Sequence, residues 1–254
     1  MRNSALNRDI GDPVDPHAPC IVYVYRPGQI YLNITNRCTN ACAFCSVRLN
    51  HGWLGPINLN LAGIDRVPLR VHPKDPLALC QSPGECEIVG FQNALDAEPN
   101  AERILFHLAP FLSRKAYPIS EVVFCGAGEP LIRLETVLQV SKVLKEQDVR
   151  VRVNTNGHAG LVHGPDTVER LSIWVDEVSI SLNAKDALSY VTICRPSAGA
   201  EAYEALLDFA SQCVKHLSRV TLSIVRPGLE VERAIDEEAC RKIATKIGAR
   251  FRLR

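Results

Sequence analysis

The chain has 254 residues, 46% of them hydrophobic and 22% charged. These values suit one soluble α/β domain and exclude a disordered, collagen-like or low-complexity chain. With 29 basic and 28 acidic residues, a net charge of +1, there is no electrostatic signal for nucleic acid.

Residues 1–19 are polar and carry Pro13, Pro16 and Pro19. They lack the apolar centre of a signal peptide and read as a disordered lead to a single domain at residues 20–254. No apolar run is long enough to span a bilayer, so a cytoplasmic protein with no membrane partner is expected. Residues 21–25 alternate like a strand, Arg26-Pro-Gly28 signals a turn, and residues 29–34 read as a second strand. Between residues 55 and 99, Pro56, Pro68, Pro73, Pro76, Pro83 and Pro99 predict an irregular insertion. A loop of that length is usually functional or disordered. Regular patterning begins with a helix over 101–114 and a strand over 121–125. Leu134, Val137, Leu138 and Leu144 share one face of a helix over 133–146. Strands over 149–153 and 178–182 follow. Tyr203, Leu206, Leu207, Ala210 and Cys213 line one face of a helix over 201–216. A strand over 220–225, a helix over 236–247 stopped by Gly248, and a short strand holding Phe251 complete the pattern. Strand and helix alternate about six times, which predicts a parallel sheet with helical crossovers. In barrel-like sheets the chemistry gathers on loops at the C-terminal strand ends.

Ten cysteines need an explanation, since a reducing compartment disfavours structural disulfides. Cys38, Cys42 and Cys45 form C-x3-C-x2-C directly after the first core strand. Thiolates are soft ligands that hold zinc and iron–sulfur clusters. Structural zinc and electron-transfer clusters normally take four protein ligands. Three clustered thiols therefore suggest an open position where a small molecule binds. Cys20, Cys80, Cys86, Cys125, Cys194, Cys213 and Cys240 are scattered, and burial is the ordinary fate of a free cysteine. Cys80 and Cys86 do not by themselves complete an auxiliary cluster. His158 and His163 flank a turn and read as surface residues.

The cysteine spacing, with Phe44 just before the last thiol, resembles the signature of radical S-adenosylmethionine (SAM) enzymes. Cys125-Gly-Ala-Gly-Glu-Pro130 is similar to that superfamily's Gly-Gly-Glu-Pro motif, and Asn154-Thr-Asn-Gly157 follows the next strand. With Val178-Ser-Ile-Ser-Leu-Asn-Ala184 and Cys194-Arg-Pro196, the resemblance is closest to the radical SAM proteins associated with the TatD family. It covers most of residues 30–254, and the long insertion after the cysteine loop departs from those relatives.

The resemblance implies an α/β fold, a partial (β/α)6 TIM-like barrel. It implies that Cys38, Cys42 and Cys45 hold three irons of a 4Fe–4S cluster while SAM chelates the fourth. Reductive cleavage would then give a 5′-deoxyadenosyl radical that abstracts hydrogen from an unidentified small-molecule substrate. Dehydrogenation, epimerisation and rearrangement all stay open, and the reductant would be of flavodoxin or ferredoxin type. The expected cofactor contacts are Phe44, Gly126, Ala127, Gly128, Glu129, Asn154, Ser181, Asn183 and Arg195. The glycines would admit a close backbone approach, and Glu129 would accept from the SAM ammonium. Asn154, Ser181 and Asn183 would reach the cofactor from strand ends. Arg195 would pair with its carboxylate, and Phe44 would pack near adenine. Cys194 is a candidate hydrogen-atom donor and the 55–99 insertion a candidate substrate lid. Two other classes remain beside this one: a zinc-binding structural or interaction protein, and an iron–sulfur electron carrier without SAM chemistry.

Overall fold

Val122 and Phe124, Val151 and Val153, Val178 and Ile180, and Val220 and Leu222 are buried pairs, each two residues apart. In an extended strand that spacing puts both members on one face. There they join a single apolar core with residues of the intervening helices, among them Leu134, Val137, Leu206 and Ala210. A computed structural model describes residues 22–26, 28–45, 70–72, 75–79, 87–88, 98–113, 118–126, 128–225 and 235–254. Its strands are β1 (Val22–Arg26), β2 (Gln29–Leu32), β3 (Arg70–His72), β4 (Asp75–Leu79), β5 (Glu87–Ile88), β6 (Glu121–Phe124), β7 (Arg150–Thr155), β8 (Glu177–Ser181), β9 (Arg219–Ile224) and β10 (Arg250–Leu253). Its helices are α1 (Ala101–Leu112), α2 (Leu134–Lys145), α3 (Ala159–His163), α4 (Thr167–Ser172), α5 (Ala187–Cys194), α6 (Glu201–His216) and α7 (Glu237–Ile247). A 3-10 turn, Pro130–Arg133, precedes α2.

The main sheet runs β1-β2-β6-β7-β8-β9-β10. From β2 onward all six strands are parallel, and β1 is an antiparallel addition to β2. Among the described residues the two end strands do not pair with each other. The fold is thus the expected α/β partial barrel, six parallel strands left open. Helix ends follow ordinary capping chemistry. Asn100 Oδ1 accepts from Arg103 N at 2.9 Å, Asp186 Oδ1 from Ser189 N at 2.7 Å, and Asp236 Oδ1 from Ala239 N at 3.0 Å. Gly248 (φ 87°) ends α7 in the left-handed conformation that Gly adopts freely.

Two features differ from the sequence reading. The insertion contains a separate antiparallel sheet in the order β4-β3-β5. Pro76 lies in β4, an edge strand, where a missing N–H disturbs no ladder on the open side. The helices α3, α4 and α5 are five, six and eight residues long, too short for a 3.6-residue period to declare itself. Among the described residues no helix is long and apolar enough to cross a membrane.

The other face of the sheet is polar. Arg152, nearly buried on β7, donates to Tyr31 Oη at 3.1 Å, to Glu121 Oε2 at 3.3 Å and to Asn154 Oδ1 at 3.1 Å. Further along, Ser181 accepts from Arg254 Nη2 at 2.7 Å. Such a surface can meet a polar ligand at the strand ends without exposing the apolar core.

Candidate functional site

The cysteine loop leaves the C-terminal end of β2 and is gripped from two sides. On one side Cys125 N donates to Leu32 O at 2.9 Å and Glu129 N to Arg37 O at 2.7 Å. On the other, Ala41 N donates to Cys194 O and Ala43 N to Ile193 O, both at 2.9 Å, so the loop lies along the end of α5. The end of the insertion returns to this loop at Glu98, whose carboxylate accepts from Arg37 Nε at 2.7 Å and Nη2 at 2.9 Å.

Gly126 and Gly128 make the first grip possible. A Cβ on Gly128 would stand 2.4 Å from Arg37 O and 2.5 Å from Thr35 O. A Cβ on Gly126 would stand 2.4 Å from Asn33 Oδ1 and 2.9 Å from Asn33 Cα. The close approach that these glycines permit here is to the cysteine loop and the end of β2. Ala127 lies outside the described residues, as do Cys20, Cys80 and Cys86.

Glu129 is buried and ties this turn to the end of β7. Its Oε1 accepts from Leu131 N at 3.0 Å and Thr155 Oγ1 at 2.7 Å, and its Oε2 from Asn156 N at 2.6 Å. Burial pushes its carboxyl up to about 7, against the pull of these donors. A carboxylate has about four acceptor positions, so three internal donors leave room for one more.

The other expected contacts are distributed as follows. Asn154 and Ser181 are half-buried on the polar sheet face, held by Arg152 and Arg254. Asn183 is buried just past β8 in a left-handed conformation (φ 54°), and its Oδ1 accepts from Val225 N at 3.1 Å. Arg195 is exposed and ends α5, also left-handed (φ 46°). Phe44 is half-buried and packs against the apolar core.

Cys38 is exposed, and Cys42 and Cys45 are half-buried. Among the described residues no three His, Cys, Asp or Glu side chains already stand as a metal-binding group. The donor chemistry nevertheless suits a soft metal centre, since three thiols share one short, backbone-anchored loop. Desolvation beside the loop pushes the Cys38 thiol up, and the Glu129 carboxylate and the Cys42 and Cys45 thiols press in the same direction. A metal would therefore have to displace its proton. Asn40 Oδ1, beside Cys38 in this loop, is buried with no hydrogen-bond partner among the described residues.

Cys194, the candidate hydrogen-atom donor, is fully buried as the last residue of α5. Its thiol lies beside Cys42 and Asn183. The contact with Cys42 and the burial both raise it, so it stays protonated. Cys213 and Cys240 are buried in the core, as expected.

His158 overturns its reading as a surface residue. It is 2% exposed, and its ring lies between Thr39 Oγ1 (2.9 Å from Nδ1) and Tyr190 Oη (3.0 Å from Nε2). Burial lowers its pKa to about 4, so the ring is neutral at pH 7. Tyr190 in turn accepts from Asn40 Nδ2 at 3.0 Å. His163 meets Leu131 O at 2.7 Å.

No family model matches the chain, and no curated protein matches it. Among solved structures it is similar to SuiB of Streptococcus suis, with 16% identity and a TM-score of 0.45 over 62% of this chain and 34% of SuiB. It is also similar to a radical SAM methyltransferase from Sphaerobacter thermophilus, with 12% identity and a TM-score of 0.48 over 91% of this chain and 67% of that one. The chain thus spans about a third of the length of SuiB.

Proposed function

We propose that the chain is a radical SAM enzyme, nearest in its motifs to the TatD-associated group. The observation that supports this most is the joining of two motifs. The C-x3-C-x2-C loop sits at the C-terminal end of the first parallel strand, and Gly126, Gly128 and Glu129 lock onto its backbone. In this reading Cys38, Cys42 and Cys45 hold a 4Fe–4S cluster with one position left for SAM. When bound, the cluster supplies the electron for reductive cleavage of SAM, which generates the species that takes hydrogen from substrate. Glu129 offers its remaining acceptor position to the SAM ammonium. Asn154 and Ser181 present an amide and a hydroxyl from the polar sheet face, and Arg195 supplies an exposed guanidinium for a carboxylate. Asn183 holds the turn after β8 through Val225 N, and Phe44 closes the apolar side. The substrate is a small molecule, and the electron comes from a flavodoxin- or ferredoxin-type partner. In this reading the insertion, most of which lies outside the described residues, is a substrate lid, joined to the cysteine loop at Glu98.

The Cys42–Cys194 contact favours a second reading, a closed four-thiol site for zinc or an electron-transfer cluster. Anaerobic reconstitution with iron and sulfide separates the two. The radical SAM reading expects Cys194→Ser to load iron normally and to form 5′-deoxyadenosine from SAM under reduction. It expects Cys38→Ala, Cys42→Ala and Cys45→Ala each to abolish both. Loss of metal in Cys194→Ser, or uptake of zinc alone by the wild type, would support the closed site instead.

A further inference from the structure

Two residues after the first cysteine loop thiol, a ring of hydrogen bonds closes. It starts at Thr39, whose Oγ1 meets His158 Nδ1 at 2.9 Å. It passes through His158 Nε2 and Tyr190 Oη, 3.0 Å apart, and ends at Asn40, whose Nδ2 donates to Tyr190 Oη at 3.0 Å. Thr39 and Asn40 are neighbours in the chain, so an imidazole from the turn after β7 and a phenol from α5 clamp one peptide unit. His158, Tyr190 and Asn40 are all buried. A neutral imidazole must donate at one nitrogen and accept at the other. With Nδ1–H donating to Thr39 and Tyr190 O–H donating to Nε2, the phenol takes one hydrogen bond and gives one. The opposite tautomer would leave the phenol hydrogen without an acceptor in the ring.

This clamp bears on Cys38. The backbone N–H of Asn40 donates to Cys38 Sγ at 3.4 Å. The side chain of Asn156 binds Thr39 Oγ1 at 2.7 Å and approaches Cys38 Sγ at 3.8 Å. Both donors are therefore fixed by residues of the ring or by residues bound to it. Asn156 is further held by its backbone N–H on Glu129 and by its Oδ1, which accepts from His158 N at 3.0 Å. Hydrogen bonds to a ligating sulfur spread its negative charge and raise the reduction potential of the centre it holds.

We infer that His158 and Tyr190 are positioning residues that aim the Asn40 N–H at Cys38 Sγ, and thereby set the reduction potential of the metal centre. The inference rests on the iron–sulfur reading above and assigns His158, Tyr190 and Asn40, which no part of that reading uses.

The test is a redox titration, followed by electron paramagnetic resonance, of anaerobically reconstituted wild type, Tyr190→Phe, His158→Leu and a Tyr203→Phe control. Tyr203 packs on Tyr190, but its hydroxyl donates to Ala184 O at 3.3 Å, outside the ring. Tyr190→Phe removes one oxygen and no packing. It should load iron as the wild type does and titrate at a lower potential. At the poise where the wild type is half reduced, its reduced-to-oxidised ratio should be several-fold smaller. His158→Leu should shift the same way, and Tyr203→Phe should match the wild type. Full loading with an unchanged potential in Tyr190→Phe would overturn the clamp and leave the cluster reading intact. A wild type that takes up no iron would overturn both.

Discussion

At the scale of single residues, the site depends on how closely two loops approach. Gly128 admits Arg37 O and Thr35 O, both backbone oxygens that cannot swing aside. Gly128→Ala should therefore lower stability by about 1–3 kcal/mol in urea unfolding. Gly160, with nothing within 4 Å of its added Cβ, lies in α3, and Gly160→Ala should be neutral or gain up to about 1 kcal/mol. Equal effects at the two positions would mean that the grip on the cysteine loop is loose. His158 gives a pH signature. Its pKa falls from 6.5 to about 4 on folding because burial disfavours the charged ring. The native state then binds fewer protons than the unfolded chain between those values. The resulting stability is complete above about pH 6.5 and is lost as pH falls toward about 4. It amounts to roughly 3 kcal/mol at most. Unfolding of the metal-free protein at pH 7 and pH 5 should show wild type losing more than His158→Gln, and parallel losses would contradict the neutral buried ring. That Cys38, Cys42 and Cys45 share one loop was legible because their spacing is local. The role of His158 was not, because Thr39 lies 119 residues away and Tyr190 lies 32 away.

At the scale of elements, long amphipathic segments announced themselves. Of the expected stripe, Tyr203, Leu206, Ala210 and Cys213 are buried along α6 and Leu207 is half-buried beside them. The short α5 did not announce itself, yet its end carries Cys194, Tyr190 and the backbone that pairs with Ala41 and Ala43. That end is a left-handed cap filled by Arg195 (φ 46°), a conformation that costs a non-glycine residue about 1 kcal/mol. Arg195→Gly should thus keep or slightly raise thermal stability. Its effect on SAM affinity, read by calorimetry on the loaded protein, then isolates the guanidinium. A weaker affinity at undiminished stability is the expected result, and an unchanged affinity would remove Arg195 from the site.

At the scale of the whole molecule, the alternation of strand and helix was enough to predict a parallel sheet, because parallel strands require crossovers. It could not reveal the small β4-β3-β5 sheet, since prolines that delimit short strands look the same in sequence as prolines that forbid them. The sheet brings the cysteine loop, the Gly126 to Pro130 turn and the polar ends of β7 and β8 to its C-terminal side. That convergence supports the proposal that three thiols hold a metal centre with one position left for SAM. The most direct measurement is the electron paramagnetic resonance spectrum of the reduced, reconstituted protein before and after SAM is added. A SAM molecule bound to the centre should change the spectrum. A spectrum identical with and without SAM would contradict the claim.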